Sequence, residues 1–231
     1  MRWQRSFGIT ASVIFGTLLL AAVVLWTLSV SSHDDWQYSV LYTDLPEVSG
    51  LQSHGSSIYV TFETRNYDGK LVSILDGDRS TVVSGLQKPD GLTISLGSLV
   101  YTQEFGESPV YEVINGVPHG LFITYHAEGI DSTLNGDLYV IEDRPEGRVL
   151  KYERSTGKVF ELATELESGE GICAMESGVV YFGERDKGIV YKIQDGKISE
   201  YLTALNSPGF LLCDDESQSI WITEDRRNYG R

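Results

Sequence analysis

Three acidic residues stand at one repeated position of the sequence, each directly before a glycine. They occur in the tripeptides Asp90-Gly91-Leu92, Glu128-Gly129-Ile130 and Glu170-Gly171-Ile172. If the fold gathers these carboxylates, their like charges repel unless a cation or a proton offsets them. Ca²⁺ accepts about six to eight oxygen ligands in a flexible geometry, which carboxylates and backbone carbonyls can supply. We therefore expect Asp90, Glu128 and Glu170 to bind a divalent cation, with Ca²⁺ favoured over Mg²⁺ or Zn²⁺.

A second set of acidic residues keeps the same step along the chain. Four of them lie 13 residues after a glycine, and the fifth lies 15 residues after its own. The set comprises Glu63, Glu104, Glu142, Glu184 and Glu224. Arginines follow four of these glutamates by one or two residues, and structural ion-pair networks often resemble functional sites. We predict that this set forms a secondary rim with a mainly structural role.

One histidine lies close to the first set of acids. His126 precedes Gly129 by three residues and Glu128 by two. A histidine beside carboxylates can act as a general base or acid because its pKa lies near working pH. We predict His126 and Glu128 as candidate catalytic residues, the alternative being that His126 is an incidental loop residue.

The chain that must position these residues repeats itself about every 40 residues. Five glycines, each followed by an apolar residue and spaced by 38 to 42 residues, mark the units: Gly50, Gly91, Gly129, Gly171 and Gly209. An aromatic residue lies three positions before four of the glutamates of the second set: Tyr101, Tyr139, Tyr181 and Trp221. Periods of this length are typical of solenoids, propellers and repeat arrays.

The content of each unit favours a propeller. The third unit contains four short runs with β-strand composition, at residues 130–133, 138–141, 148–153 and 158–164, separated by turn residues. We therefore predict an all-β fold, a β-propeller of about five four-stranded blades. In a propeller the first strand of each blade lines the axis and the second returns beside it. Both sets of acids should then lie on one rim.

The ends of the repeat array suggest how the ring closes. Residues 38–45 match the fourth strand of the other units, whereas the last unit has two strands, at residues 210–212 and 220–223. We expect the N-terminal strand to close the ring by completing the last blade. Two interpretations stay open: a five-bladed ring with an incomplete last blade, or part of a larger propeller.

The N-terminal residues form an apolar segment. Two arginines precede residues 8–30, which contain no charged residue and are long enough for a transmembrane helix. We predict a signal-anchor and stalk over residues 1–35 and a propeller domain over residues 36–231, held outside the cytoplasm. The alternative is a cleaved signal peptide and a secreted domain.

Composition restricts the partners. The 231 residues include 33 Asp and Glu against 18 Lys and Arg, a formal net charge of −15, which argues against a nucleic-acid partner. We expect contact with the membrane through residues 8–30, and a small-molecule substrate or a protein ligand on the acidic rim.

Cys173 and Cys213 lie two and four residues after their marker glycines. Because these offsets differ, we predict free buried thiols rather than a disulfide.

The repeats resemble the SMP-30/gluconolactonase superfamily of propellers, and also virginiamycin B lyase and NHL-type propellers. The resemblance lies in the tripeptides at Asp90 and Glu170 and in residues 138–143 and 220–225. It implies a six-bladed propeller with a divalent cation on its axis, held by Asp90, Glu128 and Glu170, with Asn206 as a weaker amide candidate. The likeness to the lyase implies a catalytic histidine, for which His126 is available.

Three functions are compatible with these patterns. The first is a membrane-anchored, divalent-cation-dependent hydrolase of lactones or esters, in which the cation polarises the ester carbonyl. The second is a non-catalytic propeller that binds a ligand or a protein on the same rim. The third is a lyase that abstracts a proton next to a carbonyl, for which His126 is required.

Overall fold

The computed structural model describes residues 37, 39–45 and 47–225 of the chain. All the regular structure in these residues is β, in four antiparallel sheets of four strands and one of two. The first sheet consists of β1 (Val48–His54), β2 (Ser57–Phe62), β3 (Gly69–Leu75) and β4 (Asp78–Leu86), and the second of β5 (Pro89–Ser95), β6 (Ser98–Gln103), β7 (Glu107–Ile114) and β8 (Val117–Tyr125). The third consists of β9 (Ala127–Ser132), β10 (Leu138–Glu142), β11 (Gly147–Glu153) and β12 (Lys158–Leu166), and the fourth of β13 (Gly169–Ala174), β14 (Val180–Glu184), β15 (Ile189–Gln194) and β16 (Lys197–Leu202). The fifth consists of β17 (Pro208–Asp214) and β18 (Ser219–Glu224). The predicted all-β fold of four-stranded, blade-like sheets is confirmed.

The first strands of consecutive sheets lie side by side, in the order β1, β5, β9, β13, β17. The apolar core therefore lies between neighbouring sheets, where alternate side chains of each sheet face the next. The aromatics of the repeat contribute to it: Tyr101 packs with Leu71 and Leu92, and Tyr139 packs with Phe182. Each sheet of this arc thus buries its apolar faces against its neighbours.

Glycine is needed at the marker positions because adjacent first strands approach closely there. A Cβ atom on Gly91 would lie 2.4 Å from the carbonyl oxygen of Glu128, and one on Gly129 would lie 2.7 Å from that of Glu170. Both separations are shorter than a side chain tolerates. The same approach places each acid of the first set against the preceding sheet.

Buried threonines on the second strands reinforce these contacts. The Oγ1 atom of Thr61 donates to the carbonyl of Asp90 at 2.7 Å, and that of Thr102 donates to the carbonyl of Glu128 at 2.8 Å. Each hydroxyl therefore links its own sheet to the backbone of an acidic residue in the next. The carboxylates of Asp90 and Glu128 are thus carried on a backbone that is fixed from both sides.

Strand pairing reveals a shift that the counting of residues missed. The inner strands are the first strands of the sheets: β1, β5, β9, β13 and β17. The first residue of each pairs with a residue of the second strand, in this order Phe62, Gln103, Glu142, Glu184 and Glu224. Glu63 and Glu104 lie one residue further along, so they do not share the register of the other three glutamates. Their equal spacing along the chain does not become a shared position in the sheets, because the hairpins between the first two strands differ in length.

The fifth unit is displaced by one residue relative to its marker glycine. A Cβ atom on Gly171 would lie 2.2 Å from the carbonyl oxygen of Gly209, the atom that corresponds to the Glu128 oxygen facing Gly91. Gly209 therefore occupies the position of the acids, and Phe210 occupies that of the marker glycines. The fifth unit contributes no carboxylate to the first set.

This displacement also explains why the cysteine prediction was wrong. Cys173 and Cys213 form a disulfide, with their Cα atoms 5.5 Å apart. Counted from Phe210, Cys213 lies three residues along its strand and so corresponds to Ser132, whose hydroxyl is 3.2 Å from that of Thr93 in the preceding sheet. The disulfide thus joins β13 to β17 at a position where other sheets are joined by hydrogen bonds. It indicates an oxidising, extracytoplasmic environment.

The expected closing strand is not observed. Residues 39–45 contain no strand, and Val40 and Leu41 are exposed. A strand needs an edge to pair with and a face to bury, and these exposed apolar side chains provide no buried face. Within the described residues the last sheet therefore consists of β17 and β18 alone.

The chain divides into two compact units, Met1–Asp44 and Leu45–Arg231. The predicted membrane segment at residues 8–30 lies outside the described residues. Among the residues that are described, no helix has the length and apolar character required to cross a bilayer.

Candidate functional site at the acidic end of the inner strands

The first set of acids occupies equivalent positions at the start of β5, β9 and β13. Asp90 is 1% exposed and Glu128 is 9% exposed, so both carboxyl groups are nearly removed from solvent. Asp90 accepts a hydrogen bond from the hydroxyl of Ser49, its counterpart in the first sheet. The three acids of the first set therefore lie at the same end of their strands, as their spacing indicated.

The carboxylates are grouped differently from the predicted set of three. Ligand atoms of Glu63, Asp90 and Glu104 lie within 4.8 Å of one another, and so do those of Glu104, Glu128 and Asp143. Glu104, which we assigned to a structural rim, belongs to both groups. Glu170 belongs to neither. The shared residue makes the two groups one continuous acidic cluster.

Among the described residues, two basic side chains contact this cluster. Lys88 Nζ forms ion pairs with Glu104 and, at 3.2 Å, with Glu63 Oε1. On the other side, Arg185 binds Glu170 Oε2 at 2.5 Å and Asp143 Oδ2 at 3.1 Å. The repeat spacing did not point to Lys88, and it suggested the adjacent Glu184 as the partner of Arg185. The signal for Lys88 was its place immediately before the first strand of the second unit.

Two buried carboxylate oxygens accept no hydrogen bond from an N–H or hydroxyl group of the described residues, although the two carboxyl groups can share a proton with each other. They are Oδ2 of Asp90 and Oε2 of Glu128. Buried polar atoms without a partner are uncommon in proteins and carry a desolvation penalty. A hard cation bound between these oxygens would satisfy both of them, so the donor set fits a divalent ion such as Ca²⁺.

Burial makes full ionisation of the cluster unfavourable. It raises the pKa of Glu128 well above its usual range, and the neighbouring Asp90 and Glu170 raise it further. The pKa of Asp90 is also raised by burial, although the hydrogen bond from Ser49 opposes the shift. Burial raises the pKa of Glu170 to about 7, against the influence of Arg185. Near neutral pH the metal-free cluster therefore retains protons that a cation would replace.

Glu142, Glu184 and Glu224 lie outside the two groups and bind backbone instead. Their Oε1 atoms accept hydrogen bonds from the N–H groups of Tyr125 at 3.0 Å, Glu167 at 2.8 Å and Asn206 at 2.6 Å. In the second sheet Gln103 accepts the equivalent bond from Gln87 at 2.7 Å. These side chains tie the loop before each inner strand to the end of the second strand.

His126 lies in the turn before β9, at the acidic end. Its backbone carbonyl accepts a hydrogen bond from Asp143 at 2.9 Å, as the carbonyl of Lys88 accepts one from Glu104. Both turn residues have positive φ, 49° for His126 and 48° for Lys88. The imidazole is partly buried and makes no hydrogen bond or ion pair with the described residues. A catalytic role for His126 stays a prediction.

A cavity of about 420 Å³ lies along the inner strands. Its wall includes backbone and apolar side chains from all five sheets, among them Gly91, Ile130, Ile172 and Phe210. Ser49, whose hydroxyl binds Asp90, is also part of this wall. A small molecule held here would therefore lie next to the residues that carry the acidic cluster.

No protein-family model matches the sequence, and no curated protein matches it at a significant level. Solved structures do match it. The calcium-binding protein regucalcin from Agrobacterium tumefaciens has a TM-score of 0.63 at 14% identity, over 79% of this chain and 68% of its own. For a gluconolactonase from Xanthomonas campestris the values are 0.61 and 11%, over 73% of this chain and 66% of its own.

Virginiamycin B lyase from Staphylococcus aureus has a TM-score of 0.61 at 18% identity, over 76% of this chain. The match covers 62% of the lyase, so this chain spans less than two thirds of its length. Identities this low establish the fold and leave the activity open. The structural neighbours of this chain thus include the regucalcin, gluconolactonase and virginiamycin B lyase propellers, and it shares their β-propeller fold.

Proposed function

We propose that this protein is an extracytoplasmic propeller that binds a divalent cation, Ca²⁺ in the first place, and hydrolyses a lactone or an ester with it. The observation that carries the proposal is the pair of partnerless oxygens on Asp90 and Glu128, each in a group of three carboxylates. Similarity to a calcium-binding regucalcin and to a gluconolactonase supports it.

The charge balance of the cluster supports a cation as well. Among the described residues, the five acids of the cluster and Glu170 beside it meet two basic residues, Lys88 and Arg185. The acidic residues are Glu63, Asp90, Glu104, Glu128, Asp143 and Glu170. If all six acids ionised, they and the two basic residues would together carry a formal charge of −4, which a divalent cation would halve.

Each residue would have a separate part in hydrolysis. Asp90 and Glu128 are too buried to reach a bulky substrate, so they would hold the ion, with Glu104 bridging the two groups. A bound divalent ion supplies polarisation of the ester carbonyl and stabilises the negative charge that develops on its oxygen. His126, or an inner carboxylate, would accept the proton of the attacking water.

The test begins with the purified protein. We expect stoichiometric Ca²⁺ by elemental analysis, and a fall in both melting temperature and lactone hydrolysis after treatment with EDTA. Glu104→Gln should abolish the response to Ca²⁺. Glu200→Gln, which makes the same change on the exposed strand β16, should not. An unchanged melting temperature with EDTA would contradict the proposal.

The same experiment separates the alternatives. Stabilisation by Ca²⁺ without turnover of any lactone or ester would indicate a binding propeller. Elimination products that are lost in His126→Ala would indicate a lyase.

We further propose that residues 8–30 anchor the protein in a membrane, with the propeller outside the cytoplasm. The disulfide between Cys173 and Cys213 is compatible with that compartment. Deletion of residues 1–35 should move the protein from the membrane fraction to the soluble fraction. Continued membrane association of the truncated protein would contradict this assignment.

A further inference from the structure

Lys88 is a cation built into the acidic cluster. Its Nζ atom pairs with Glu104, the residue common to both carboxylate groups, and lies 3.2 Å from Glu63. The Lys88 side chain is only 15% exposed, so water screens these ion pairs less than it would on the surface. Both acids that are grouped with Asp90 are thereby already bound to a positive charge.

The backbone on both sides of Lys88 is fixed. Its N–H donates to the carbonyl of Thr64 at 2.9 Å, and its carbonyl accepts from the N–H of Glu104 at 2.9 Å. Its φ of 48° lies in the left-handed region, and Pro89 follows as the first residue of β5. These bonds attach the turn to the loop after β2 and to the end of β6. The backbone thus fixes the position of Lys88 beside the cluster.

The corresponding turns differ from this one. The residues whose carbonyls accept the equivalent backbone bond are Glu47, His126, Ser168 and Ser207. None of them is a lysine or an arginine. A lysine or arginine at this turn position is therefore specific to the second sheet within the described residues.

We propose that Lys88 is an internal counter-ion that competes with the divalent cation for Glu104 and so sets the affinity of the site. The inference rests on the proposed cation binding. An ion that uses Glu104 must displace the ammonium group from it, since the same oxygens cannot coordinate both charges closely. Lys88 therefore keeps the cluster folded without metal and weakens the binding of the ion that replaces it.

The test compares Lys88→Gln and Lys88→Arg with the wild type by calorimetric titration with Ca²⁺. Lys88→Gln should bind Ca²⁺ more tightly by about tenfold or more, because a repelling charge is removed from the site. Lys88→Arg keeps the charge and should bind within about threefold of the wild type. Lys187→Gln is the matched control, since Lys187 pairs with Glu184 and Glu167 outside the cluster.

A second measurement is independent of affinity. In EDTA, Lys88→Gln should melt at a lower temperature than the wild type, and saturating Ca²⁺ should remove that difference. Lys187→Gln should show no such recovery.

The outcomes distinguish the two proposals. If the wild type binds Ca²⁺ and Lys88→Gln binds it no more tightly, the role of Lys88 is overturned and the proposed function stands. If only Lys88→Gln binds Ca²⁺, the role of Lys88 is supported and the proposed function of the native protein fails. If neither binds, cation binding is overturned, and so is competition by Lys88.

Discussion

Asp90 and Glu128 illustrate how single residues set the properties of the acidic cluster. Each is buried, each has one oxygen without a partner, and burial raises the pKa of both carboxyl groups. Such residues cost stability in the absence of a ligand and gain it when one binds. A buried carboxyl group with an unsatisfied oxygen is therefore better suited to ligand binding than to stabilising the fold.

Glu128→Gln tests whether Glu128 serves cation binding more than stability of the fold. Because burial keeps the carboxyl group of Glu128 protonated near neutral pH in the absence of metal, the amide replaces a group that is already neutral. We therefore expect the free energy of unfolding in EDTA to change by less than about 1 kcal/mol. The stabilisation by Ca²⁺ should be lost at the same time. Chemical denaturation with and without Ca²⁺ measures both effects. A variant that is destabilised in EDTA would show that Glu128 has a structural role instead.

Asp131 predicts a pH dependence outside the cluster. Its Oδ2 accepts the N–H of Ala174 in the next sheet at 2.9 Å, and its Oδ1 accepts that of Ser132. Burial nevertheless raises its pKa from 3.8 to about 6. The folded state thus holds the proton more tightly than the unfolded chain. Its contribution to stability is full below about pH 3.8 and is lost as the pH rises through about 6.

Asp131→Asn removes this titration. Between pH 4 and 6 the stability of the wild type relative to the variant should fall by up to about 1.4 kcal/mol per pH unit. Denaturation at a series of pH values measures the slope, with Asp195→Asn at an exposed turn as the control. A stability difference that stays constant across this range would contradict the prediction.

At the scale of elements, the links between neighbouring sheets explain how the acids are positioned. The first strands touch at glycines, and threonine hydroxyls on the second strands bind the backbone of the acidic residues. The position of a carboxylate therefore depends on the sheet before it as well as on its own.

Thr102→Val tests this dependence. Valine matches threonine in shape but leaves the carbonyl of Glu128 without its donor, so we expect a loss of about 1–2 kcal/mol of stability. Weaker Ca²⁺ binding should accompany it because Glu128 is held less firmly. Thr81→Val, on an exposed part of β4, is the control for both measurements. Equal effects of the two substitutions would show that the buried hydroxyl has no special role.

The elements also show what the sequence could predict. The glycine period and the four-strand content of each unit were sufficient for the sheets and for the end at which Asp90, Glu128 and Glu170 lie. The grouping of Glu104 with Asp90 was not predictable from spacing. The number of residues between the first and second strands varies with hairpin length, and only strand pairing reveals which residues face each other.

At the scale of the whole molecule, the disulfide holds the two-stranded sheet in place. β17 and β18 bury less than the four-stranded sheets, and Cys173–Cys213 joins them covalently to β13. The sequence could not predict this bond because the fifth unit is displaced by one residue, which hid the alignment of the cysteines. Nor could it show that residues 39–45 form no strand.

The double variant Cys173→Ser, Cys213→Ser tests the disulfide. The bond closes a loop of 40 residues, so we expect its loss to cost about 2–4 kcal/mol. Hydrogen exchange should increase first in β17 and β18. Dithiothreitol should lower the melting temperature of the wild type and leave that of the double variant unchanged. A wild type that is insensitive to reduction would contradict the assignment.

The hairpins of unequal length have a further consequence for engineering. The units differ in the length of the turn between their first two strands, which lies at the end of the strands opposite to the acids. Insertions of this kind leave the start of the inner strand where it was. Those turns are therefore the natural places to graft a reporter peptide or an affinity tag, because the molecule already tolerates added length there while its carboxylates stay in place.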